Sequence, residues 1–453
     1  MALYFWPWEL LGDVYESQGG FSARRERLTS LRVSLFLAAI AVLLRPTNLL
    51  IWATVATVTL TRPMLRGKSP VTSRIIFVLF REAVLCGSAA LVISALSDRL
   101  YFGEWTVPPY HFLRFNLSLD LAVFYGEMDW HYYISQGITQ LTMTFLPFAL
   151  IGLYKSITSS DPGASALQSN ALKTLSFTVV TTMTVLSLIA HKEVRFILPL
   201  LPILHILAAP SFANLFSAPT GRQPSQSRTA LLTGLLVVNF VIATYLSLFH
   251  AAAPISVMHY LRHEYERLHP DRLDLHLAQP VTNHYHSLST LELSFDKSRT
   301  EEELFALFLT PCHATPWRSH LIYPSLRARA LTCEPPLHTA PRSAEREAYM
   351  DETKRFYHGF GENDHWGVDF LANEMWPAGE NDGTRRAEVP RYIVGFESIE
   401  PTLMAFFDKS GGPGGHMNVA LKKVWRSWNG LFSDDDRKEG WLAVWDTGMS
   451  ERF

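Results

Sequence analysis

Seven apolar runs crowd the first 254 residues of this 453-residue chain, at 31–44, 49–61, 75–96, 137–154, 172–190, 196–216 and 230–249. Most approach the roughly 20 residues that a helix needs to cross the hydrocarbon core of a bilayer. No comparable run follows, and residues 255–453 hold most of the charge and the His-, Pro- and acid-rich stretches. The expected fold is therefore mainly α, a polytopic membrane domain over 1–254 with about seven spans or half-spans. A compact mixed α/β domain over 255–453 follows it, built on short apolar stretches such as 304–309 and 392–396. Gly411-Gly412-Pro413-Gly414-Gly415 reads as a flexible break in that domain.

The first two runs are short for spans. Arg45-Pro46-Thr47-Asn48 separates them, either as a hairpin turn or as a proline kink in one long helix. Basic loops decide between these. Arg24, Arg25, Arg27 and Arg32 precede the pair and Arg62, Arg66, Lys68 and Arg74 follow it, so both flanks read as cytoplasmic and a hairpin is required. Alternation then places 97–136 outside, 155–171 with Lys155 inside, 191–195 outside, 217–229 with Arg222 and Arg228 inside, and the C-terminal domain outside. The sequon Asn116-Leu117-Ser118 falls in an outside loop and is a glycosylation candidate. Met1 to Trp8 lacks the basic start of a cleavable signal peptide and resembles the tail of a span already under way.

Net charge is −2, which leaves no dominant basic face and argues against nucleic acid as a partner; the membrane is the implied one. Cys86 reads as a small residue within a span. Cys312 and Cys333 are a disulfide candidate if their domain lies in an oxidising compartment, and otherwise two buried thiols.

Charge concentrates where it is most expensive. His191, Lys192, Glu193 and Arg195 stand between two spans with almost no loop, followed at once by Phe196. Such a cluster serves either as an interfacial anchor, with Lys192 and Arg195 reaching for headgroups, or as a site for an anionic lipid headgroup. Arg45, the 97–136 loop and the 191–195 cluster all emerge on one face, and Arg is a good phosphate clamp. Arg45, Lys192 and Arg195 are thus candidates to bind a lipid phosphate and stabilise charge growing on it as a sugar leaves. Such a reaction also needs a carboxylate base. Glu104, Asp120, Glu127, Asp129 and Glu193 lie on that face, and each alone reads first as a solvated or salt-bridged side chain. The aromatic loop, including Tyr125, Trp130 and His131, suits either sugar contact or interfacial anchoring. Metal signals are poor: His284-Tyr285-His286, and His259 with His263, lack partners at ligand spacing, and Asp434-Asp435-Asp436 reads as a solvated loop.

Residues His191-Lys192-Glu193-Val194-Arg195-Phe196-Ile197-Leu198-Pro199 resemble the H-K-E-x-R-F-x-x-P signature of the family 22 glycosyltransferases. These are multi-spanning mannosyltransferases of the endoplasmic reticulum that use dolichyl-phosphate mannose. Phe124-Tyr125-Gly126 with Trp130-His131-Tyr132-Tyr133 and Gln136-Gly137, Pro311-Cys312-His313-Ala314-Thr315-Pro316 with Ser319-His320, and Arg45-Pro46-Thr47 are similar to segments of its branch acting on glycosylphosphatidylinositol (GPI) precursors. Together they cover most of residues 30–400.

The resemblance implies the GT-C membrane fold, a luminal C-terminal domain and location in the endoplasmic reticulum membrane. It implies inverting α-1,2 transfer of mannose from a lipid-linked donor, dolichyl-phosphate mannose, to the second mannose of a GPI-precursor glycolipid acceptor, with no nucleotide, metal or other cofactor. Arg45, Lys192 and Arg195 would hold the donor phosphate, with His191, Glu193 and Phe196 in support. Asp129 and Tyr133 stand where the family has Pro and Trp. Nothing matches the family's acidic catalytic loop, so the chain is expected to begin partway through the membrane domain. Two further readings are a non-catalytic lipid-binding or scaffold subunit and a mannosyltransferase of N-glycan assembly. A transporter is disfavoured because the chain shows no inverted repeat.

Overall fold

The computed structural model describes residues 1–8, 21–65, 73–119, 121–159, 163–216, 225–270, 304–316, 319–323, 325–341, 343–358, 365–377, 388–433 and 435–448. Several sequence candidates fall outside these: Arg66, Lys68, Asp120, Arg222, His284, His286 and Asp434, together with the side chain of Arg24. The chain forms two compact units, Met1–Phe240 and Val241–Phe453.

All seven apolar runs become helical. Helices α1 (Phe21–Leu44), α2 (Asn48–Leu65) and α3 (Ser73–Phe102) are followed by the short α4 (Pro108–Leu113), then α5 (Ile138–Thr142) and α6 (Leu146–Thr158). Helix α7 (Ala166–Ser187), the single turn α8 (Val194–Ile197), α9 (Leu201–Phe216) and α10 (Gln226–Leu248) complete the series. Five helical segments among the described residues are long and apolar enough to cross a membrane: Arg25–Leu44, Ser73–Phe102, Tyr133–Thr158, Val194–Phe216 and Gln226–Leu268. α2 and α7 are not among the five. α7 is polar because Thr174, Thr178 and Thr182, spaced four apart, are buried on one stripe of it. Thr174 and Thr178 return their hydroxyls to carbonyls four residues back, which satisfies a buried hydroxyl without a partner helix. The run expected as one span over 137–154 lies within the segment Tyr133–Thr158, which changes direction at Met143, whose φ is +48°.

Arg45-Pro46-Thr47 ends α1 and restarts the chain as a hairpin. Leu31 of α1 and Val55 of α2 share a small cluster with Trp6; in collinear helices they would lie roughly 36 Å apart. Contacts group the remaining ends as the alternation of spans requires. Arg45 meets Arg195, and Gly126 and Met128 meet His191 and Lys192. In a second group Arg62 donates to the Asn170 carbonyl and Ser156 meets Ser176.

An ion pair that the span pattern concealed joins α1 to α3. Glu82 is fully buried in α3 and accepts from Arg32 Nε at 2.7 Å, with Arg81 beside it. Arg32 therefore serves this pairing rather than a basic flank.

In the second unit, α11 (Ala253–Leu268) covers one face of a five-stranded sheet. The strands are β1 (Leu304–Phe308), β2 (Arg327–Ala330), β3 (Tyr392–Phe396), β4 (Lys422–Trp428) and β5 (Trp441–Asp446), in the order β2-β1-β3-β5-β4. β1 runs parallel to β2 and β3, whereas β5 is antiparallel to β3 and β4. The central β1 and β3 are buried at every position, as strands covered on both faces must be. α11 presents Val257, Met258, Leu261 and Tyr265 to Phe305 and Val394. The opposite face packs Phe356, Phe370, Leu403 and Phe406 against Leu307 and Ile393. The glycine-rich segment expected as a flexible break is a packed turn: a Cβ on Gly414 would lie 2.4 Å from the Phe406 ring.

Helices α6 and α9 approach closely at Gly152, where a Cβ would lie 1.9 Å from the Leu207 carbonyl oxygen. Gly152→Val should destabilise the protein by about 1–3 kcal/mol through overpacking, read as a lowered melting temperature in detergent. Gly234→Val, with open space around it, should leave that temperature unchanged.

Candidate functional site: an arginine cleft at the helix ends

Proline shapes the segment that carries the charge cluster. Glu193, extended at φ −142° and ψ 146°, opens the single turn α8, and a 3-10 turn over Leu198–Leu200 leads into α9. An α-helix would donate to the Arg195 carbonyl from residue 199, and Pro199 has no N–H. Arg45, from the turn between α1 and α2, fills the role: its Nη1 donates to that carbonyl at 2.5 Å. Two arginines distant in sequence thereby meet. They line a cleft of about 340 Å³ with Leu43, Leu44, Pro46, Thr47, Pro108, Pro109, Phe112 and Phe196.

Arg195 is 65% exposed and forks onto the Glu193 carboxylate, with Nη2 2.6 Å from Oε1. Glu193 also meets His191 Nε2 at 3.0 Å, while His191 Nδ1 lies 2.9 Å from the Gly126 carbonyl. Glu193 is thus occupied as an ion-pair partner, and it orients Arg195 toward the cleft mouth. The His191 ring packs edge-on to Phe196.

Lys192 departs from the phosphate-binding role expected for it. It is 3% exposed, donates to the Met128 carbonyl at 2.7 Å and sits 3.5 Å from the Ala190 carbonyl. Met128 N–H in turn donates to Ala190 at 3.1 Å. A buried ammonium must be met by oxygen, and here it fastens the 126–133 segment beneath the cluster instead of facing the cleft. Tyr133, fully buried, was overlooked as a site residue. Its hydroxyl accepts from the Glu193 N–H at 3.3 Å.

Tyr125, Trp130 and His131 do not line the cleft. Tyr125 rests against Phe115 and Phe124. His131 Nδ1 lies 3.1 Å from Ser135 Oγ, and Trp130 stacks edge-on to the His131 ring. Among the described residues no carboxylate lines the cleft: Glu104 and Glu127 are exposed, and Asp129 pairs at 3.6 Å with His131. Asn116 lies in a wound turn, Arg114–Ser118, and its amide donates to the Phe112 carbonyl at 2.7 Å.

In the second unit Cys312 and Cys333 are joined as a disulfide with Cα atoms 5.8 Å apart. Asp351 beside them caps α12 (Glu352–Tyr357) by accepting from Lys354 N–H. With both sulfurs bonded to each other, this group offers no thiolate to a metal. The acidic triplet is likewise not simply solvated. Asp435 takes Arg437 Nε at 2.8 Å and Nη2 at 2.9 Å, and Arg437 lies 5.5 Å over the Tyr357 ring.

Five helical segments long and apolar enough to cross a membrane, with an arginine-lined cleft at their ends, mark a multi-pass membrane protein. The comparisons specify the class. Residues 1–322 match the model of the Alg9-like mannosyltransferases, and the chain belongs to that family. It is 50% identical to GPI mannosyltransferase 3 of Gibberella zeae over 99% of its own length and 70% of that protein. It is 38% identical to GPI mannosyltransferase 3 of Aspergillus fumigatus over 94% of the chain. It is also 29% identical to GPI alpha-1,2-mannosyltransferase 3 of Danio rerio over 83% of the chain. The chain spans only 53% and 55% of the length of the latter two. No solved structure matches it.

Burial opposes the charge of Asp435, but the Arg437 guanidinium more than compensates and holds the carboxyl below the usual carboxylate range. A lowered folded-state value stabilises the fold above the unfolded value of about 3.9, and that contribution disappears as pH falls through the folded value. Asp435→Asn should lower the melting temperature at pH 7, and the gap from the parent should close as pH falls from about 5 to 2.5.

Proposed function

We propose that this chain is an α-1,2-mannosyltransferase of GPI-anchor assembly in the endoplasmic reticulum membrane. It transfers mannose from dolichyl-phosphate mannose to the second mannose of the GPI precursor. The observation that carries the reading is the meeting of Arg45 and Arg195 at one cleft, within a chain whose relatives bear GPI mannosyltransferase names.

In this scheme the donor phosphate lies between the two guanidiniums. The apolar wall of Leu43, Leu44 and Phe112 faces the isoprenoid and the sugar. The acceptor hydroxyl attacks the mannose anomeric carbon from the side opposite the phosphate and loses its proton to a carboxylate. The C–O bond to phosphate breaks, and dolichyl phosphate departs with the bonding electrons. Charge accumulates on the phosphate as the bond stretches, so fixed cations stabilise the transition state more than the bound donor. Arg45 is held by the Arg195 carbonyl and Arg195 by Glu193, so little reorganisation accompanies that step. Two guanidiniums meet the phosphate charge without a metal or nucleotide. The C-terminal domain lies in the lumen in this reading.

Arg195→Ala should lower transfer about 10²–10³-fold, the scale for losing one preorganised donor to a developing anion. Arg195→Lys should restore part of the loss, since the charge survives without the fork. The measurement is mannose incorporation from labelled donor in microsomes lacking the third-mannose step, at matched protein levels. Undiminished transfer by Arg195→Ala would exclude the phosphate role. Lys192→Met should instead lower the yield of folded protein.

A further inference from the structure

The connection between β4 and β5 presents a surface that the proposed transfer does not use. Leu431 and Phe432 are adjacent at its tip and are 66% and 74% exposed. Nothing in the sheet's own packing calls for two large apolar side chains there. The backbone beside them is fastened to the end of α10. Leu431 N–H donates to the Tyr245 hydroxyl at 2.7 Å, and Ala251 N–H donates to the Asn429 carbonyl at 2.7 Å. Gly430, at φ +129°, lets the chain pass so close that a Cβ would stand 3.1 Å from Tyr245 Oη and 3.5 Å from His250 Cα.

These bonds set the tip's depth. Tyr245 lies one turn before the end of α10 at Leu248, in a segment long and apolar enough to cross a membrane. The tip backbone touches both that turn and the residues just beyond it, so it occupies the level at which the helix leaves the bilayer. The surroundings have interfacial composition. Leu248 and Phe249 are exposed at the helix end, and Trp441, at the start of β5, carries the Arg426 guanidinium 4.7 Å from its ring. Aromatic rings and arginine are enriched at the headgroup boundary, where one end of the side chain is dry and the other wet.

We propose that Leu431 and Phe432 insert into the boundary between headgroups and acyl chains of the leaflet from which the end of α10 emerges. The lipid surface is the occupant of this apolar tip, and the C-terminal unit holds the membrane through it as well as through the helix. The helix end already stands in that boundary and the tip is bonded to it, so insertion requires no separate docking event.

The test uses the full chain carrying Cys86→Ser, with the Cys312–Cys333 disulfide retained. A single nitroxide is placed at Leu431→Cys or Phe432→Cys and, as a control, at the exposed Lys422→Cys, and the protein is reconstituted in phosphatidylcholine vesicles. Insertion predicts that labels at 431 and 432 collide with oxygen, which partitions into lipid, several-fold more than with a water-soluble nickel chelate. The label at 422 should show the reverse preference. Nickel accessibility at 431 and 432 equal to that at 422 would overturn the proposal by showing the tip in water. Protection from both reagents would also overturn it, by assigning the surface to a protein contact.

Discussion

The Arg195 carbonyl has no helical N–H to receive, because the residue four positions on is proline. That vacancy ties the turn between α1 and α2 to the single turn α8, since Arg45 donates into it. The bond uses one of the five guanidinium N–H donors of Arg45, which fixes the head group and leaves the others available. A proline that reads as a helix breaker therefore acts as an attachment point, and the arginine cleft depends on it.

Beneath the cleft, rigidity comes from buried polar groups that are each satisfied. Lys192 places its ammonium among carbonyls, Tyr133 offers its hydroxyl to the Glu193 amide, and Glu193 holds Arg195 and His191. Removing Lys192 would leave the Met128 carbonyl without its donor, a larger loss than the net value of a hydrogen bond. The cluster thus divides its labour: Arg195 faces the cleft while Lys192 and His191 anchor the 126–133 segment. Within one motif Lys192 is buried among carbonyls and Arg195 is exposed at the cleft. The anchoring is to protein, not to headgroups.

The same accounting explains the polar residues inside the helices. Glu82 is tolerated at zero exposure because Arg32 and Arg81 surround it, and a buried carboxylate without such partners would be strongly disfavoured. In the threonine stripe of α7, Thr174 and Thr178 are tolerated because their hydroxyls bond the helix that carries them. Apolar composition alone undercounts helices of this kind, and α2 and α7 are the two that hydropathy leaves out.

What the sequence by itself determined is the helical series, the hairpin at Arg45-Pro46, the central strands and the arginines of the cleft. These follow from local pattern: run length, loop charge and a short signature. The roles of neighbouring residues were not legible, because adjacent side chains in a turn diverge. Lys192 and Arg195 have similar charge and are three residues apart, yet one is buried and one exposed, and only the path of the 126–133 segment decides which. The hydroxyl of Tyr133, the pairing of Glu82 with Arg32 and the bond between the β4–β5 tip and α10 likewise join residues 50 to 186 positions apart. No periodicity encodes such pairings; packing creates them, because a buried donor or acceptor must be met by whatever group the tertiary fold brings within reach.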